Sequence, residues 1–182
     1  MTLTPLGLPT VTRPVGSAPA SGPLIDTYGR VAADLRVSLT DRCNLRCTYC
    51  MPAEGLDWLP GGDLLTLEEL TRLIRVAVTR LGITGIRFTG GEPMLSPHLE
   101  DVVAAAAALQ PRPGIAVTTN GIGLAKRAAA LKKAGLGRVN VSLDTLDPDR
   151  FAAITRRRRL PEVLEGLAAA KEAGLSPVKV NA

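Results

Sequence analysis

Apolar and polar positions alternate along DLRVSLT (34–40), with Leu35, Val37 and Leu39 on one face and Arg36, Ser38 and Thr40 on the other, which predicts a β-strand. TLEELTRLIRVAVTRLG (66–82) changes to a helical period, opening on Thr66 with Glu69 three residues on and closing at Gly82. The two patterns then take turns. GIRFTGG (85–91), IAVTTNG (115–121) and RVNVSLD (138–144) read as strands, and PHLEDVVAAAAALQ (97–110) and residues 124–134 as helices. DPDRFAAIT (147–155) and LPEVLEGLAAAKEAG (160–174) predict two more helices, before PVKVNA (177–182) begins a fifth strand. Strand–helix alternation with short loops means parallel strands joined by right-handed crossovers. The C-terminal ends of the strands carry the cysteine loop, TGGEP, TTNG and SLD. Sites on parallel α/β sheets lie at that edge. A final strand with no helix after it leaves an apolar face in want of more protein, so the chain reads as a fragment of a longer enzyme.

The length of 182 residues suits one domain. Its first stretch, to Pro23, is rich in Pro, Gly, Ser and Thr, which predicts a disordered tail over 1–23 ahead of a core domain over 24–182. The 22 basic residues exceed the 17 acidic ones, giving +5. That excess fits an anionic small molecule as well as it fits nucleic acid or plain solubility. RRRR (156–159) lacks aromatic interleaving and reads as a solvated loop that could steer an anion, not as a nucleic-acid site. No apolar run approaches the ~20 residues of a membrane span, and the start lacks the pattern of an export signal. A reducing cytoplasm is the expected compartment.

All three cysteines, Cys43, Cys47 and Cys50, fall within DRCNLRCTYCMP (41–52). An odd number cannot close fully into internal disulfides, and it leaves a four-coordinate metal one ligand short. Structural zinc would need a fourth ligand such as His98, the only histidine, far along the chain. A [4Fe–4S] cluster on three thiolates would instead keep one iron open to a substrate or cofactor. Met51, beside Cys50, reads as packing.

Cys43-x3-Cys47-x2-Cys50 with Tyr49 before the last cysteine, together with TGGEP on the next strand, resembles the signature of radical S-adenosylmethionine enzymes. LIDTYGRVAADLRVSLTDRCNLRCTYCMPAEG, IRFTGGEPML, TTNG, VNVSLDTLDPDRFAAITRRRRL and VKVN extend the resemblance, over roughly residues 24–182, to the GTP 3′,8-cyclase family of molybdenum cofactor biosynthesis. It implies an α/β fold, an incomplete TIM-like (βα)6 barrel cut after about five strands. It also implies a lyase that uses a 5′-deoxyadenosyl radical to take H3′ from GTP and form 3′,8-cyclo-7,8-dihydro-GTP.

By the same resemblance, Cys43, Cys47 and Cys50 hold the cluster, while Tyr49, Gly91 and Ser142 contact S-adenosylmethionine. Arg36, Arg87, Thr118 and Lys179 contact GTP. No catalytic side chain is singled out. Even without the resemblance Arg36 and Arg87 stand out, since a basic residue inside a parallel strand is expensive to bury unless something anionic meets it; a salt bridge to a neighbouring acid is the alternative. The family's second [4Fe–4S] cluster and the region that carries it are not expected here. The implied partners are a reductant such as flavodoxin or ferredoxin and, downstream, cyclic pyranopterin monophosphate synthase, with homodimerisation allowed for and no nucleic acid or membrane. Two other readings compete: a different radical S-adenosylmethionine cofactor maturase, and a non-enzymatic zinc module.

Overall fold

The structure is a computed structural model that describes residues 21–26 and 28–182. The tail expected over 1–23 therefore falls almost entirely outside the described residues. Five parallel strands, β3 (Asp34–Ser38), β4 (Gly85–Thr89), β5 (Gly114–Thr119), β6 (Arg138–Ser142) and β7 (Val178–Asn181), lie side by side in chain order. The crossovers are α1 (Leu67–Leu81), α2 (Leu99–Ala107), α3 (Leu124–Ala134) and, between β6 and β7, α4 (Pro148–Thr155) and α5 (Leu160–Glu172). Strand order that follows chain order is what a partial (βα) barrel requires, and this sheet is open.

Period-2 alternation decides which face is covered. Ile86, Phe88, Ile115, Val117, Val139 and Val141 share one buried core with Leu99, Val102, Leu124, Leu131 and Val163 of the helices. Each such side chain contributes ~1.5–3 kcal/mol of burial. The alternate residues, Arg36, Arg87, Thr118, Asn140 and Lys179 among them, lie on the other face.

The helix ends follow from local chemistry. Thr66 caps α1 in a closed capping box with Glu69, and Gly82 ends the helix at φ 73°. Asp147 caps α4 by accepting from Arg150 N at 2.7 Å, with Pro148 in its first turn. The small antiparallel hairpin of β1 (Leu24–Ile25) and β2 (Val31–Ala32) is unforeseen by the sequence pattern. Its turn closes on the Asp26 carboxylate, which accepts from the main chain of Tyr28 and Arg30. Four predicted strands end two residues early, at Ser38, Thr89, Thr119 and Ser142. The residues after each of them leave the ladder to make the loops of the site.

Candidate functional site

The cysteine loop follows β3. Cys43 and Cys47 are half-buried, Cys50 is exposed, and all three are free thiols. Leu45 and Met51 are buried and anchor the loop, so Met51 packs as expected. The turn tightens where Cys50 N and Met51 N both donate to Cys47 O, at 2.9 and 3.1 Å.

TGGEP is stitched to this loop through its main chain. Gly91 N donates to Thr40 O and Glu92 N to Arg42 O, each at 2.7 Å. A Cβ on Gly91 would stand 2.3 Å from Asp41 O and 2.4 Å from Arg42 O. Gly90, at φ 150°, would put one 2.4 Å from Thr40 O. The glycines are thus needed first for one loop to touch the other. Gly91 is exposed on its remaining side.

Glu92 and Asn120 stand inside the TGGEP and TTNG motifs, where the sequence pattern assigns them no role, and the structure makes them the hub. The Glu92 carboxylate is 1% exposed. It accepts from Met94 N at 2.9 Å, Thr119 Oγ1 at 2.6 Å and Asn120 N at 2.7 Å. Burial pushes its carboxyl up, while these donors hold it down. Asn120 then donates through Nδ2 to Asn44 Oδ1 at 2.7 Å, inside the cysteine loop. On the other flank, Tyr49 donates its hydroxyl to Asp144 Oδ2 at 3.0 Å. Burial, chiefly, and then the Asp144 bond push the Tyr49 phenol up, so it stays a neutral donor. Ser142 ends β6 two residues before Asp144 and is exposed.

Cations gather on the open sheet face. Arg36 and Arg87 are register partners on β3 and β4. Thr118, Asn140 and Lys179 form a row across β5, β6 and β7. Among the described residues neither Arg36, Arg87 nor Lys179 forms an ion pair, so the alternative of a salt bridge for the two arginines is not met, although Asp34 shares a surface pocket with both. Nor is the burial cost met, because Arg36 is exposed and Arg87 only half-buried on a face no helix covers. Two like charges side by side are disfavoured until an anion joins them.

RRRR also departs from a uniformly solvated loop. Arg157 and Arg158 are exposed, while Arg156 and Arg159 are half-buried and bonded.

The donor set can be tested against the groups it was expected to hold. Among the described residues no three His, Cys, Asp or Glu side chains converge on a point that would hold a single ion. His98 lines a groove with Arg42, Leu65 and Ser96. Three thiols spread along one short loop suit a cluster, which gives each thiolate its own iron. Burial pushes the Cys43 and Cys47 thiols up, so the positive charge of iron is what would deprotonate them.

A parallel sheet with an open polar face and a three-thiol loop at its C-terminal edge defines a class. Residues 37–182 match the model of the Radical SAM superfamily, and the chain belongs to that superfamily. Membership implies S-adenosylmethionine and a [4Fe–4S] cluster. The chain is 74% identical over 182 residues to a GTP 3′,8-cyclase of Mycobacterium sp. (strain KMS), covering 100% of this chain and 52% of that protein. It is 71% identical over 189 aligned residues to the GTP 3′,8-cyclase of Mycolicibacterium smegmatis (strain ATCC 700084 / mc(2)155), with the same shares of 100% and 52%. The chain thus spans about half the length of the curated relatives it matches.

Among solved structures, Streptococcus suis SuiB bound to precursor peptide SuiA is similar at a TM-score of 0.65 and 21% identity, over 82% of this chain and 32% of that one. HydG, a maturase of the [FeFe]-hydrogenase, gives 0.64 and 18%, over 81% and 34%. These likenesses speak for the fold alone. No helix among the described residues is long and apolar enough to cross a membrane.

Proposed function

We propose that the chain is the S-adenosylmethionine- and triphosphate-binding part of a GTP 3′,8-cyclase, with Cys43, Cys47 and Cys50 as cluster ligands. The observation that carries this reading is the Arg36–Arg87 couple, without an ion pair among the described residues, on the open face of a chain 74% identical to such an enzyme. Held by these thiolates, a [4Fe–4S] cluster would supply the electron for reductive cleavage of S-adenosylmethionine, the source of the radical that would take H3′ of GTP.

The chain's own residues bind and orient. Arg36 and Arg87 offer planar donor forks to phosphate oxygens, and Lys179 a point charge. Thr118, beside Asn140, adds a hydroxyl to the same face. Tyr49, Gly91 and Ser142 line the side toward S-adenosylmethionine, with the Tyr49–Asp144 bond fixing the ring's direction. The family's second cluster would need cysteines other than the three in this loop. A flavodoxin- or ferredoxin-class reductant, cyclic pyranopterin monophosphate synthase downstream and a cytoplasmic setting belong to the same reading.

The test is anaerobic reconstitution with iron and sulfide, then reduction and assay of 5′-deoxyadenosine with and without GTP. About four irons per chain and cleavage of S-adenosylmethionine support the reading. Arg87→Ala should abolish any response to GTP while leaving the iron content unchanged. Uptake of zinc alone, with no 5′-deoxyadenosine, would overturn it.

A further inference from the structure

Arg156 turns away from the rest of its run. Arg158 pairs with Asp149 at 2.9 Å on the surface, and Arg159 with Glu162 at 2.6 Å in the first turn of α5. Arg156 instead sits at φ 56° as the only non-glycine residue with positive φ among the described residues. That conformation is strained for an L-residue with a Cβ, so something local must offset it. Its Nη1 donates to Arg46 O at 2.9 Å and to Met51 O at 3.1 Å. Those two carbonyls bracket the segment that contains Cys47 and Cys50.

The end of α4 grips the same segment. Arg46 N donates to Thr155 O at 3.0 Å and Thr48 N to Ile154 O at 2.9 Å. A second guanidinium does the same for the first half of the loop. Arg46 Nη1 donates to Cys43 O at 2.7 Å and to Leu45 O at 2.8 Å, while its guanidinium lies 5.4 Å from the centre of the Trp58 ring. Two arginines, 110 positions apart, therefore hold the main-chain carbonyls of Cys43, Leu45, Arg46 and Met51.

We infer that Arg156, with Arg46, is a positioning residue for the cysteine loop, presetting the thiols and setting fixed positive charge beside the anionic cluster they hold. The inference rests on the reading that Cys43, Cys47 and Cys50 are the cluster ligands. Cluster potentials depend on net charge and hydrogen bonding around the sulfurs, so added positive charge favours the state one electron richer. In the test that electron comes from dithionite.

The experiment compares wild type, Arg156→Gln, Arg156→Lys and Arg158→Gln by two readings. One is the midpoint potential of the reconstituted cluster, followed by electron paramagnetic resonance. The other is the limiting rate, reached at high pH where ionisation no longer matters, at which iodoacetamide alkylates the thiolates of the iron-free chain. Arg156→Gln should shift the potential to more negative values and speed alkylation several-fold. Arg156→Lys should recover most of the potential, and Arg158→Gln should match wild type in both. A Gln variant with wild-type potential and wild-type alkylation overturns the inference. Should that variant fail to fold, Arg156→Gly, free of the left-handed strain, carries the same two readings. If wild type takes up no cluster, the ligand assignment fails, and the alkylation rates still decide whether Arg156 holds the loop.

Discussion

At the scale of single residues, the site depends on a carboxylate that no motif assigned. Glu92 joins the TGGEP and TTNG loops with both carboxylate oxygens, and its bonds to Met94 N and Thr119 Oγ1 are buried while the one to Asn120 N is part-buried. Glu92→Gln keeps an acceptor for Met94 N and Thr119 but turns an amide N–H toward Asn120 N. A buried donor left without an acceptor costs ~1–3 kcal/mol, and that loss should appear as a lower urea midpoint. A wild-type midpoint would mean that water satisfies Asn120 and that the hub is not structural. The cysteines, Tyr49 and the glycines of the motif were legible as letters in order. The importance of Glu92 was not, because a glutamate's role depends on which donors the fold brings to it.

At the scale of elements, glycines mark where backbones meet. Gly166 in α5 would place a Cβ 2.5 Å from Gly121 O, the carbonyl after β5. Alanine gains about 1 kcal/mol of helix propensity over glycine. Backbone against backbone cannot yield as a flexible side chain can, so Gly166→Ala should lower the thermal midpoint despite that gain. An unchanged or raised midpoint would show that α5 can slide.

The α2–α3 contact carries a pH signature. Arg127 bonds Glu100 with two guanidinium nitrogens and reaches Met94 O at 2.7 Å. Those bonds, chiefly, hold the Glu100 carboxyl below its ordinary range. A depressed folded-state pKa stabilises the fold above the unfolded value, about 4.3, and that share is lost as pH falls through the folded value. Glu100→Gln should therefore be less stable than wild type at neutral pH, with the gap in urea midpoints closing in acid. A gap independent of pH would assign the effect to packing. The caps and periods of these helices were readable from local sequence. The β1–β2 hairpin was not readable, since a hairpin of two-residue strands has too short a period to register.

For the whole molecule, the decisive feature is a sheet with helices on one side only. Arg36 and Arg87 stand together on the bare side, and among the described residues neither forms an ion pair, although Asp34 is near. Without nucleotide, Arg36→Ala should leave the thermal midpoint unchanged or higher, since it relieves a like-charge contact. With GTP present, wild type should gain stability as bound ligand shifts the folding equilibrium, and Arg36→Ala should gain less. Raising the ionic strength should shrink that difference. A destabilised nucleotide-free variant would mean that Arg36 serves the fold instead of an anion.

The sequence by itself determined the strand–helix alternation, the parallel sheet, the edge where the loops gather and the identity of the three thiols. Those depend on period, turn chemistry and spacing, which are local. Only the tertiary structure decided that Arg36 and Arg87 are register neighbours, that Gly90 and Gly91 touch the cysteine loop, that Glu92 joins two loops, and that Arg156 reaches back 110 positions to Arg46. Each of these is a contact between segments far apart in the chain. Strand register and helix packing create such contacts, and no local pattern records them.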